Sequence, residues 1–301
     1  MWNINKRYLN EDNFAPEQQV ENPYQKSRAD QLILQDPARY FRVLNLAVST
    51  FNDASTSYYH FSIGGYHGAK MQRYQELIEY HIQPEMQQLM SSLQNKQNVR
   101  GMDSLLSRLE VLNMLNTKYI IYNKKSAPLR NPHALGNAWF VDDYRLVPDA
   151  EAEINALDNF DPAQTAIVDQ DFSSHLQTES FRKDTSGSIQ LTDYSPKRLK
   201  YKFRADQKQL VVFSEVYYPE GWNLYIDGEP ADLFRANYIL RAAIVPAGNH
   251  TIEMEFRPRS YYLGSSISRY SSIALLILLV LWVGYEVYTY FRPQSGEKEK
   301  N

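Results

Sequence analysis

LVVFSEVYYPEGWNLYIDG, residues 210–228, repeats its apolar side chains with a period of two. Leu210, Val212, Val216 and Tyr218 fall on one face, and Trp222, Leu224 and Ile226 do so in the next run. Successive side chains of a strand point to opposite faces, so this spacing predicts half-buried antiparallel strands. HTIEMEF (250–256) repeats the pattern, with Ile252, Met254 and Phe256 opposing Thr251, Glu253 and Glu255. Asp227-Gly228 predicts a two-residue hairpin, because a type I′ turn needs positive φ at both positions, and Pro246-Ala247-Gly248-Asn249 predicts a further turn. Five or six such strands over residues 188–260 predict a small β-sandwich.

The sandwich leads almost directly into SSIALLILLVLWVGYEVYTYF (271–291). These 21 residues, at ~1.5 Å rise each, form a helix of ~31 Å, the thickness of a bilayer core. We expect a transmembrane helix over 270–291 and a short polar tail over 292–301. Tyr261, Tyr262 and Tyr270 before it, and Tyr285, Tyr288 and Tyr290 near its end, suit the two interfaces, where Glu286 also reaches headgroups. Arg257, Arg259 and Arg269 on one side balance Arg292, Lys298 and Lys300 on the other, so the positive-inside rule does not orient the span.

Toward the N-terminus, residues 1–30 are polar and aperiodic, an irregular lead-in without the charged start and apolar stretch of a signal peptide. Residues 31–187 read as an α/β region. YFRVLNLAV (40–48), KYIIYN (118–123), AWFVDDYRLV (138–147) and TAIVD (165–169) are strand-like. A helix from about Ala69 places Met71, Tyr74, Ile78 and Ile82 on one face until Pro84 interrupts or kinks it. A second helix is expected over 102–116, with Leu105, Leu109, Leu112 and Leu115 on one side, and a third opens at Asp149 with acids in its first turn. QTESFRKDTSGS (177–188) reads as a loop. The expected fold class is therefore an α/β region plus an antiparallel β-sandwich, followed by one C-terminal transmembrane helix.

Composition narrows the function. A chain of 301 residues has room for two domains. Its 32 basic and 35 acidic residues are spread without a basic block, which excludes a nucleic-acid partner. Zero cysteines exclude disulfides, thiolate zinc sites and a cysteine nucleophile, and no cofactor motif is evident. The 23 tyrosines suit wet interfaces, membrane borders and sugar surfaces.

LNTKYIIYN (115–123), NPHALGNAWFV (131–141), the block 212–258 from VFSEVYYPEGW to EMEFRP, and the final helix together resemble the C-terminal part of the YfhO family of bacterial polytopic membrane proteins, in a Bacteroidetes-type form. The block 212–258 is the most specific part of the resemblance. That family is similar to integral-membrane glycosyltransferases that take sugar from a polyprenyl-phosphate carrier and act on cell-envelope glycans. The resemblance implies a place in the bacterial cytoplasmic (inner) membrane, with residues 1 to about 268 extracytoplasmic and 293–301 inside. It also implies partners: the lipid bilayer, a polyprenyl-phosphate-linked sugar, an envelope glycan, and N-terminal transmembrane helices that this chain lacks. The usual catalytic carboxylate of such enzymes lies on an early extracytoplasmic loop, so no catalytic residue is expected here. Met1 then reads as an internal methionine or truncated start, and the chain is expected to be inactive alone.

Two clusters are candidates for contact. HFSIGGYHGAKMQRY (60–74) offers His60, Gly64, Gly65, His67, Lys70 and Arg73 as a phosphate or lipid-carrier site, with backbone N–H groups of the helix expected near Ala69. The plainer alternative is a tight turn with Gly68 capping the helix. Two histidines without companions at ligand spacing do not predict a metal. Asn223, Tyr225, Arg235, Asn237, Tyr238 and Arg241 are the candidate glycan contacts, as exposed stacking and hydrogen-bonding groups, and cross-strand pairing on a solvated face is the alternative. Asp142-Asp143 and Glu151/Glu153 do not read as a catalytic acid and base, because strand neighbours diverge and helix-start acids serve the dipole. The rivals to the accessory end of a membrane glycosyltransferase are a non-catalytic glycan-binding or complex-scaffolding envelope module, and a tail-anchored cytosolic adaptor.

Overall fold

The computed structural model describes residues 14–21, 23–38, 40–95, 99–176 and 180–292. The first part of the lead-in, three residues of the 177–188 loop and nearly all of the polar tail lie outside the described residues. The first sheet has the order β2-β1-β3-β4 and joins β1 (Arg42–Asn45), β2 (Phe61–Ser62), β3 (Thr117–Ile121) and β4 (Leu129–Arg130). In it β1 runs parallel to both β2 and β3, as an α/β region requires, and β4 is antiparallel to β3.

The helices of this region depart from the sequence expectation in instructive ways. The first starts at Gln72 instead of Ala69, with Met71 extended and its carbonyl accepting the amides of Tyr74 and Gln75. It continues from Gln72–Leu77 through a π turn, Ile78–Ile82, into Gln83–Gln94. Pro84 has no N–H to give, and the wider turn just before it puts Pro84 in the opening turn of the next α segment, where that donor is not needed. The helix expected over 102–116 is split into Val99–Leu106 and Glu110–Met114. Glu85 explains the break: its buried carboxylate accepts the amides of Val111 at 2.8 Å and Leu112 at 2.9 Å, so the chain restarts a helix there.

The remaining strands are β5 (Ala138–Val141), β6 (Asp143–Val147), β7 (Thr165–Asp169), β8 (Ser188–Ser195), β9 (Arg198–Ala205), β10 (Gln209–Val216), β11 (Trp222–Ile226), β12 (Glu229–Ala231), β13 (Phe234–Ala236), β14 (Leu240–Val245) and β15 (Gly248–Phe256). β6 and β7 form a parallel pair crossed over by the helix Ala150–Asn155. The others make two antiparallel sheets, β13-β14-β10-β5 and β12-β11-β15-β9-β8, packed as a sandwich. Asp227 and Gly228 have φ of 53° and 89° and join β11 to β12, as the hairpin reading requires. Pro246-Ala247 instead carries the chain from one sheet to the other, since β14 and β15 belong to different sheets.

Half-burial is the expectation that fails for residues 210–213. Leu210 and Val212 face the α/β core beside Trp139, Val141, Phe234 and Leu240, while Val211 and Phe213 face the sandwich core beside Phe140, Tyr201, Phe203 and Met254. β10 is thus buried on both sides, and it pairs with β5 from the earlier region. Hydrogen bonds therefore cross the boundary expected at 187/188.

The last helix runs from Arg259 to Phe291, and none of its residues is buried. It is long and apolar enough to cross a membrane. It begins well before residue 270, adding ~17 Å of helix ahead of the apolar run, because Pro258 is the last break in the backbone. At the junction Arg257 donates its N–H to the Gly221 carbonyl at 2.6 Å. Gly221 has φ of 106°, and a Cβ there would stand 2.7 Å from Pro258 Cα.

Two outcomes follow from these contacts. Gly221→Ala should destabilise the domain by about 1–3 kcal/mol, read as a lower unfolding midpoint in denaturant. Burial pushes Glu85 up to about 8, with the Val111 and Leu112 amides opposing it. The folded state then holds a proton that the unfolded state releases, so this group's contribution to stability is lost as pH rises from about 4.5 through about 8. Glu85→Gln should flatten that part of the stability profile, measured by denaturant titration across the window.

Candidate functional site

Gly64, Gly65, His67 and Lys70 share one open cleft of about 380 Å³, which Arg42, Phe51 and Tyr74 also line. Its floor is set by close backbone approach. A Cβ on Gly64 would lie 1.9 Å from the Thr50 carbonyl oxygen, and Gly65, at φ 126°, donates its N–H to that same oxygen at 2.7 Å. His67 Nδ1 accepts the Ala69 N–H at 3.1 Å, so this amide is used locally and opens no helix. The ammonium of Lys70 donates to Gln75 Oε1 at 3.2 Å and sits 5.5 Å from the centre of the Phe51 ring. Neither partner is anionic, so the charge of Lys70 has no carboxylate partner among the described residues. Arg42 is tied to the carbonyls of Leu115 at 2.9 Å and Ser214 at 2.6 Å, with Glu215 at 3.8 Å.

The other two members of the 60–74 cluster stand elsewhere. His60 is held by Asp30 at 2.9 Å. Arg73 turns to Glu153, donating to Oε2 at 3.1 Å, with its guanidinium 4.6 Å from the centre of the Tyr238 ring.

Glu153, fully buried, is the point where the two candidate clusters meet. Arg235 Nη2 donates to Glu153 Oε2 at 3.1 Å and to Asp169 Oδ2 at 3.0 Å, while the Tyr238 N–H donates to Glu153 Oε1 at 3.1 Å. Burial pushes the Glu153 carboxyl up, and the two guanidiniums with the Tyr238 amide pull it back. Asn237 and Tyr238 form the β13–β14 turn at φ 49° and 70°, a conformation unusual for a tyrosine. Its locks are the carboxylate of Glu153, the Asn237 side-chain oxygen accepting the Ile167 N–H at 2.8 Å, and the Tyr238 hydroxyl bonded to Glu76. The exposure expected of Asn237, Tyr238 and Arg241 is absent, since all three are buried. Arg241 lies 3.9 Å from the centre of the Trp222 ring and donates to the Val216 carbonyl at 3.0 Å. Burial pulls it down to about 10, against the charge of Glu215. Asn223 is exposed and Tyr225 half-exposed on β11.

Residues 176–268, which include the whole five-stranded sheet, match the sequence profile of the family described as bacterial membrane protein YfhO. That segment is similar to the YfhO family of bacterial membrane proteins. No curated protein and no solved structure matches it.

The matched YfhO segment contains Arg235, Asn237, Tyr238 and Arg241, whereas the Lys70 cleft precedes it. Sequence reasoning passed over Glu153 as a helix-start acid. A signal was present: Ala150, Ile154 and Leu157 recur at helical spacing, and Glu153 falls on their face, where a carboxylate needs cationic partners. Glu85 has the same signature between Ile78, Ile82 and Leu89.

The two kinds of cation should respond differently to truncation. Arg235→Ala leaves Glu153 with one guanidinium and should cost about 3 kcal/mol in denaturant unfolding. Lys70→Ala removes no buried partner and should change stability by less than about 0.5 kcal/mol.

Proposed function

We propose that this chain, with its YfhO-like segment, is the extracytoplasmic, acceptor-side portion of a cell-envelope glycosyltransferase that uses a polyprenyl-phosphate-linked sugar, with the catalytic carboxylate in another part of the protein. In this reading it lies on the outer face of the bacterial cytoplasmic membrane, held by the helix Arg259–Phe291. The observation that carries the proposal is the cleft at Gly64, Gly65, His67 and Lys70: a concave site with one cation that no carboxylate neutralises, fitted to the phosphate of a lipid carrier. Arg73 then acts through the fold, and His60 belongs to a different wall. Asn223 and Tyr225 remain the solvent-facing candidates for glycan contact.

Binding of undecaprenyl phosphate tests the cleft. With the protein in phosphatidylcholine nanodiscs, Lys70→Ala should weaken binding at least tenfold, and Lys70→Arg should keep most of it. Equal affinity in wild type and Lys70→Ala would remove the carrier from this cleft. Topology is tested separately, because a chain with no cysteine accepts a single reporter. Glu229→Cys, in an exposed hairpin, should react with a membrane-impermeant maleimide in intact spheroplasts. Protection until lysis would place the domain inside.

A further inference from the structure

A second groove, of about 760 Å³, is formed where the helix Arg28–Ile33 and its exit meet the segment ending in β2. It shares no lining residue with the Lys70 cleft. Its volume lies in the usual range for a small-ligand site.

Aromatic rings dominate its walls. Phe41, Tyr58, Tyr59 and Phe61 all line it, and Tyr58 and Phe61 keep 48% and 44% of their surface exposed, so their rings face solvent. The rings are held in place. Tyr58 and Tyr59 meet edge to face at 4.9 Å, their hydroxyls bond the carbonyls of Glu21 and Tyr24, and Phe61 abuts Tyr194 at 5.2 Å. Such preset rings lose little freedom when something stacks on them.

Among the described residues, the charged side chains that line the groove, Asp36 and His60, are matched. Asp36 accepts from Lys118 at 2.6 Å and from the Tyr119 hydroxyl at 2.8 Å, and those donors hold its carboxyl low against the opposing effect of burial. His60, which also lines the groove, is held by Asp30 at 2.9 Å. A ligand with net charge would be desolvated without finding an unpaired charge among those two lining groups, and the nearby Lys26 ammonium is engaged on the Tyr59 ring, 5.5 Å from its centre. Neutral polar capacity remains, since the side chains of Gln35 and Ser57 line the groove with no protein partner among the described residues.

We propose that this groove binds a neutral oligosaccharide. A sugar ring has C–H faces that stack on tyrosine and phenylalanine, and hydroxyl edges that bond amides, hydroxyls and carboxylate oxygens. The assignment rests on ring geometry and charge matching at this groove, and it stands whether or not the chain serves sugar transfer.

The test uses the whole chain in phosphatidylcholine nanodiscs, which avoids detergents with sugar headgroups. Maltotriose, cellotriose, chitotriose and a hexuronate trimer are titrated in by calorimetry. At least one neutral trisaccharide should bind saturably. Tyr58→Ala and Phe61→Ala should each weaken that binding at least tenfold, and Phe61→Trp should retain it. Unchanged unfolding midpoints in the two alanine variants would assign their loss to the groove. Absence of binding by all three neutral sugars at millimolar concentration, tighter binding of the hexuronate, or binding unaffected by both alanine variants would each overturn the assignment.

Discussion

Everything in this protein is arranged around a strand that is buried on both faces. β10 places Leu210 and Val212 in one core and Val211 and Phe213 in the other, and these residues lie within a run shielded from solvent on either side. A strand in that position cannot satisfy its backbone with water, so both edges must be paired. β14 takes one edge and β5 the other. Because β5 comes from far earlier in the chain, the α/β region and the sandwich are joined by a hydrogen-bonded ladder as well as by side-chain packing.

Glu153 does the same work with charge. One buried carboxylate ties the helix Gln72–Leu77, through Arg73, to β13 and the following turn, through Arg235 and Tyr238. A carboxylate in an apolar interior is unfavourable until it is paired and hydrogen-bonded, which explains why so many donors converge on it. The two φ > 0 residues of that turn persist because the surrounding contacts over-determine them.

This structural use of arginine separates the concave surfaces by chemistry. Three arginines of the candidate clusters, Arg73, Arg235 and Arg241, are engaged inside the fold. Lys70, beside Gly64 and Gly65, has a neutral partner in Gln75, whereas Asp36 and His60, which line the groove at Tyr58, are paired with Lys118 and Asp30. The anion proposed for one concavity and the neutral, amphipathic ligand proposed for the other follow from that difference.

The sequence by itself determined whatever depends on near neighbours in the chain. Period-two spacing located β11 and β15, Asp227-Gly228 produced its turn, and the apolar run 271–291 produced an exposed helix, because dihedral preferences and face periodicity are local properties. The grouping of Gly64, Gly65, His67 and Lys70 was legible for the same reason. Only the tertiary structure decided what depends on partners far along the chain: that β10 has no solvent face, that Glu85 splits a helix 26 residues away, and that Arg73 and Arg235 meet at Glu153, 80 and 82 residues distant. Burial and charge pairing are properties of the assembled core, and an isolated stretch of sequence does not state which side chains will be brought to face it.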